Sequence, residues 1–188
     1  MEKYVNHPKC IAIGECGLDY FRLPEDELEK QENIKKQKEV FIAQIEFAKK
    51  VKKPLIVHIR EASNDSRQIL MEYNAKEVGG VLHCYNASEH LLPLAEHNFY
   101  FGIGGVLTFK NAKKLIEVLP KIPKDKLLIE TDAPYLTPHP HRGERNEPYY
   151  TVFVAKKMAE LLETSFEQMK ILTTNNAKNL FKEFSSLS

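Results

Sequence analysis

At 188 residues, with 43% hydrophobic and 28% charged side chains, the chain has room for one apolar core and reads as a single domain over residues 1–188. A net charge of +1 excludes nucleic-acid binding driven by bulk positive charge, so any such contact is local. No apolar run is long enough for a bilayer, the start lacks the apolar core of a secretion signal, and three cysteines make no disulfide framework; a cytoplasmic protein without a membrane partner is expected.

Residues 1–10 are a polar lead-in. Ile11-Ala12-Ile13-Gly14-Glu15 reads as a strand ending in a carboxylate, and Leu18–Arg22 as a loop over its end. A long helix is expected from about Asp26 to Val51, with Ile34, Phe41, Ile45 and Ala48 on one face. Lys49, Lys50, Lys52 and Lys53 at its carboxyl end favour the helix dipole and read as a solvated terminus. Pro54–His58 is the second strand, and Asn64 or Ser66 starts a short helix. Gly79-Gly80 opens a third strand that ends at His83. Ser88 is expected to cap a helix carrying Leu91, Leu92 and Ala95. Phe99–Val106 is the fourth strand, Asn111 caps the next helix, and Leu127–Thr131 is the fifth strand, stopped by Pro134. A proline-rich loop, Thr137–Pro148, precedes two helices over about 152–162 and 167–181, the last with a break expected at Asn175-Asn176.

Strands alternating with helices mean parallel βαβ units, in either a doubly wound sheet or part of a (β/α)8 barrel. No Gly-x-Gly-x-x-Gly turn follows a strand, which weakens the dinucleotide-binding reading. Side chains able to do chemistry stand at the ends of several strands, as barrels place them.

Four strands end in metal-type side chains: Glu15, His58, His83 and Asp132. If the strands are parallel, all four reach one rim. A carboxylate at the end of a buried strand costs free energy unless it is paired or holds a metal. A lone strand-end histidine is usually a hydrogen-bonded core residue; two at equivalent positions beside two carboxylates point to a catalytic divalent-metal site. By period two, Glu130 shares a face with Asp132 and reads as a supporting partner. Arg60, Arg142, Arg145 and Asn146 are candidates for phosphate contact, against the alternatives that Arg60 orients Glu15 and that the loop is merely solvated. Cys10, Cys16 and Cys84 lack zinc-site spacing and are expected only to pack.

The motifs AIGECGLDY (residues 12–20), PLIVHIR (54–60), HCY (83–85), ETDAP (130–134) and RGERNEP (142–148), with the tail NAKNLF (176–181), resemble in order and spacing the TatD family of metal-dependent deoxyribonucleases. The resemblance implies a TIM-type (β/α)8 barrel with divalent ions at its carboxyl rim and hydrolysis of phosphodiesters, commonly in DNA. It implies that Glu15 bridges two metals, that His58 and His83 bind one, and that Asp132 binds the other and faces the attacking water. Catalysis would then fall to Asp132 and Glu15.

That family begins with a strand ending in a His-x-His pair, which this sequence lacks. Such barrels run to roughly 250 residues, about sixty to seventy more than are present. The expectation is therefore an incomplete barrel with about five of the eight strands, open at the Glu15 and Asp132 sides. A second copy covering those edges would relieve the liability. One divalent ion (zinc, magnesium or manganese) at most is expected, held weakly, with impaired activity. The leading expectation is a metal-dependent phosphodiester hydrolase, DNase or exonuclease-like, with the DNA backbone or a strand end as partner. The alternatives are a hydrolase of a cyclic amide or lactone at the same site, and a non-catalytic remnant or interaction module.

Overall fold

The computed structural model describes residues 3–182. Its strands are β1 (Ile13–Asp19), β2 (Leu55–Arg60), β3 (Gly80–His83), β4 (Phe99–Ile103) and β5 (Leu127–Ile129). Its α-helices are α1 (Glu27–Val51), α2 (Ser63–Glu72), α3 (Lys113–Val118), α4 (Thr151–Leu161) and α5 (Phe166–Leu180). The strands form one sheet in the order β1-β2-β3-β4-β5, every neighbour parallel. Consecutive parallel neighbours are what five successive units of a (β/α)8 barrel give. Among the described residues β1 and β5 are not paired, so the five-stranded parallel sheet is open at both edges.

Period-two alternation sorts the two faces of this sheet. Leu55, Val57, Leu82, Phe99, Phe101 and Leu127 point to the main core, where Phe41, Ile45 and Ala48 of α1 and Leu70 of α2 are also buried. Val81, Tyr100 and Leu128 point the other way, with Ile56, and meet Ala177, Leu180 and Phe181 at the end of α5. His58, His83, Gly102 and Glu130 each lie two residues beyond a member of this second cluster. They therefore continue the same face toward the carboxyl rim. The second cluster is an apolar floor, and the functional row stands above it.

Helix α1 begins where Asp26 accepts hydrogen bonds from the N–H groups of Leu28 and Glu29, both at 3.0 Å. It ends at Lys52, whose left-handed conformation turns its N–H back to the carbonyls of Ala48 and Lys49.

Several boundaries differ from the sequence reading. β1 starts at Ile13 and runs past Glu15 to Asp19, so Leu18 and Asp19 are strand rather than loop. Gly17 permits this: a Cβ there would lie 2.0 Å from the His58 carbonyl oxygen, so β1 could not close on β2 with any other residue. The register shifts between Ile13 and Cys16, a bulge that re-aims Glu15. The segment Glu89–His97 is 3-10 rather than α-helical, because Pro93 inside it has no N–H to give. The Ser88 side chain makes no capping bond there, and Ala112 rather than Asn111 stands at the α3 N-cap. β4 stops at Ile103, where Gly104 leads into a 3-10 turn over Gly105–Thr108. β5 ends at Ile129, leaving Glu130 just beyond it. α5 runs unbroken through Asn175-Asn176. Among the described residues no helix is long and apolar enough to cross a membrane.

Candidate metal centre

Register builds the site. His58 and His83 are direct partners across β2 and β3, and Gly17 of β1 stands beside His58. Parallel pairing at one level is why two strand-end histidines become neighbours. Glu130 follows β5, its N–H donating to the Ile103 carbonyl at 3.1 Å, which extends the ladder by one step.

The side chains form two contacting trios, each a histidine between two carboxylates. Nδ1 of His58 lies 2.9 Å from Oε1 of Glu15, and its Nε2 lies 3.3 Å from Oδ2 of Asp19. Nδ1 of His83 lies 2.9 Å from Oε2 of Glu130, and its Nε2 lies 3.4 Å from Oδ1 of Asp132. The other Glu130 oxygen accepts the Cys84 N–H at 2.7 Å. Glu130 is thus the carboxylate that burial bears on, with its side chain 16% exposed. Glu15 and Asp132 are much more open, so the desolvation argument made from sequence applies to Glu130 rather than to them.

The hydrogen bond that His83 donates to Glu130 raises the His83 pKa to about 9, against the opposing effect of burial; the charges of Glu130, Glu15 and Asp132 add to the rise. Without an ion, His83 is an imidazolium at neutral pH, and its proton must leave before Nε2 can serve as a ligand. Cys16 and Cys84 are pushed up to about 12, first by burial and then by the neighbouring carboxylates. They stay thiols, consistent with packing rather than with a thiolate role.

Glu15, His58, His83 and Asp132 all line one cavity of about 380 Å3, together with Arg60, Cys84, Asn86 and Tyr135. Glu15 and His58 also line a second hollow, shared with Gly17, Asp19, Gln37 and Val40, beside the open β1 edge. Two imidazoles and two carboxylates suit a divalent cation chemically. Their arrangement, however, is two pairs around one cavity. Among the described residues no three His, Cys, Asp or Glu side chains are gathered as a metal cage.

The four candidates for phosphate contact divide. Arg60 lines the cavity, its guanidinium 3.5 Å from the Phe21 ring centroid. The carboxylate of Glu15 is met by His58 rather than by Arg60. Arg142 lies over the Phe109 ring at 3.8 Å and donates to the Thr137 carbonyl at 3.0 Å, so its guanidinium is engaged in holding the loop. Asn146 is 3% exposed and gives its amide hydrogens to Thr131 Oγ1 and the Tyr135 carbonyl, so it is an internal strut and not a phosphate contact. Arg145 is exposed, 3.5 Å from a Glu147 oxygen, and away from the cavity lining. Asn86 and Tyr135 were missed from sequence. Their signal is position alone: each stands three residues beyond a metal-type side chain, His83 and Asp132.

The family model described as TatD related DNase matches residues 1–182. The chain belongs to that family. It is 50% identical over 179 residues to the uncharacterized metal-dependent hydrolase YabD of Bacillus subtilis, covering 94% of this chain and 67% of that protein. It is 40% identical over 172 residues to the uncharacterized metal-dependent hydrolase YcfH of Escherichia coli K12, covering 91% of this chain and 62% of that protein. The crystal structure of YjjV, a TatD homolog from Escherichia coli K12, matches with a TM-score of 0.84 at 26% identity, over 96% of this chain and 68% of that one. The chain thus spans about two thirds of the length of its TatD relatives. The names of YabD and YcfH carry metal dependence and hydrolysis but neither the metal nor the substrate.

Proposed function

We propose that this TatD-family chain is a metal-dependent phosphodiester hydrolase acting on DNA. The observation that carries the reading is that Glu15, His58, His83 and Asp132 line one cavity with the Arg60 guanidinium. Glu15, His58, His83 and Asp132 are the groups that would hold a divalent cation; bound there, it would supply Lewis-acid activation of water and charge stabilisation.

The chain's own residues do the rest. Glu130 accepts a hydrogen bond from His83 Nδ1–H and so turns Nε2 into the cavity beside Asp132. Asp132, open to solvent in part, would orient the attacking water and accept its proton. Glu15 would share the cation with His58. Arg60 would neutralise phosphate with a planar donor fork, a role that a cyclic amide substrate does not call for.

One observation favours a second reading, a non-catalytic module: among the described residues the donors form two closed pairs and no cage. The two readings separate by assaying cleavage of single-stranded DNA with added manganese, zinc or magnesium, beside a cyclic amide. Metal-dependent DNA cleavage that disappears in His83→Ala supports the proposal. Cleavage of the amide alone, or of neither, contradicts it.

A further inference from the structure

Tyr135 is a large aromatic side chain, 70% exposed, on a loop whose backbone is tied by hydrogen bonds. Its N–H donates to the Asp132 carbonyl at 2.7 Å, and its own carbonyl accepts the Asn146 side-chain amide at 2.6 Å. The same amide reaches Thr131 Oγ1 at 3.1 Å, and the Asn146 N–H donates to the Pro134 carbonyl at 3.0 Å. A buried asparagine therefore fixes the backbone on both sides of an aromatic ring left in water. Single exposed apolar residues are common on protein surfaces. This one lines the cavity that holds Asp132, His83, His58 and Glu15.

The cavity lining also carries Arg60, whose guanidinium carbon lies over the Phe21 ring, 3.5 Å from its centroid, and Phe21 is itself 46% exposed. Stacking spends the face of a guanidinium and leaves its N–H edge for an anion. The cavity mouth thus offers a flat apolar surface beside the candidate carboxylate and a cation whose plane is held by a ring. Nucleotides present the matching pair, a flat base next to a phosphate.

We propose that Tyr135 is the stacking platform for the base beside the scissile phosphate, with Arg60, propped on Phe21, taking the neighbouring phosphate. This rests on the phosphodiesterase reading and goes beyond it by assigning base recognition to a residue. A strand is engaged only where a base presents a free face.

The test uses the full chain and two short dye-labelled oligodeoxynucleotides of equal length, one carrying thymine throughout and one abasic throughout. Binding is followed by fluorescence anisotropy with a chelator present, so that no cleavage intervenes. The thymine strand binds about tenfold tighter than the abasic one, the size of one stacking contact. Tyr135→Ala removes that ratio by weakening the thymine strand alone, and Tyr135→Phe keeps it. Phe21→Ala weakens both strands by the same factor. Equal binding of the two strands by the wild-type chain, no binding of either, or a ratio that survives Tyr135→Ala overturns the proposal. A Phe21→Ala loss confined to the thymine strand also overturns it, by moving the platform to Phe21. Cleavage is scored separately with manganese added. Base-selective binding without cleavage defeats the hydrolase reading and leaves the platform standing; cleavage without base selectivity does the reverse.

Discussion

Glu130 and His83 are locked together: Oε2 of one lies 2.9 Å from Nδ1 of the other, while Oε1 accepts the Cys84 N–H at 2.7 Å. The carboxylate grips a ring and the backbone beside it at once, so the imidazole has one orientation. Its other nitrogen, Nε2, faces Asp132 as a consequence. Removing the charge while keeping the shape should loosen this grip. Glu130→Gln is expected to lower metal affinity about tenfold to a hundredfold, as supporting partners of histidine ligands do. Metal titration of the two proteins by calorimetry measures it.

Gly102 is the hidden half of that relationship. A Cβ at Gly102 would lie 2.2 Å from Oε2 of Glu130 and 3.2 Å from the Leu82 carbonyl oxygen. The carboxylate, unlike the backbone, can retreat, but only by leaving His83. Gly102→Ala is therefore expected to fold and to show the same defect as Glu130→Gln. Proton NMR of the His83 ring reports it, since loss of the Nδ1 hydrogen bond shifts that proton out of its downfield position.

Asn176 turns from a sequence-level break into an anchor. It is 3% exposed, and its amide donates to the carbonyls of Lys124 and Leu127, both at 2.8 Å. The helix α5 is thereby tied to the start of β5. Asn176→Leu removes both hydrogen bonds, at about 0.5–1.5 kcal/mol each, while the Lys124 carbonyl keeps the Leu127 N–H as a donor. Urea denaturation should show a loss on that scale with an unchanged slope.

Much of the site was legible in the residues, for a physical reason. Parallel strands of similar length deliver their ends to one rim, so His58 beside His83 follows once the strands are recognised. Period two likewise put Glu130 and Asp132 on one side, and both flank His83. Side-chain reach across a cavity has no such periodic signal. The closure of Glu15 on His58, and of His83 on Asp132, depends on a bulge and on rotamers that the sequence does not encode locally. The loop after Asp132 was misread for a related reason. Arg142 and Asn146 are residue types that bind phosphate, but contacts with Thr137, Phe109, Thr131 and Tyr135 occupy them, and all four are set by the folded loop. Asn175-Asn176 looked like a helix break because asparagine competes for backbone groups locally. Here Asn176 bonds distant carbonyls instead.

The link from α1 to α2 carries a pH dependence. Asp65 Oδ2 lies 2.7 Å from Lys38 Nζ and accepts the Tyr20 hydroxyl at 2.8 Å. The Lys38 hydrogen bond is the main cause that holds the Asp65 carboxyl below its ordinary range; the Tyr20 bond adds, and burial opposes. A depressed carboxyl stabilises the fold above the ordinary aspartate range, and that contribution disappears as pH falls through the lower folded value. The pair is partly exposed, so its worth is below about 1 kcal/mol. Asp65→Asn should therefore be less stable than wild type at neutral pH, with the gap closing in acid. Tyr20 titrates in the opposite sense. Its hydroxyl is raised, first by burial and then by Asp65, so its contribution holds at neutral pH and is lost only in strong alkali. Urea melts across the pH range check both limbs.

The account stands on Glu15, His58, His83 and Asp132 holding a common cation. The direct measurement is calorimetric titration of manganese into the wild-type chain, Glu15→Ala, His83→Ala and the double variant. The account predicts saturable binding of one equivalent at most, with each single variant losing nearly as much affinity as the double, because both remove the same ion. Undiminished binding in both single variants, or no binding by the wild-type chain, would contradict it.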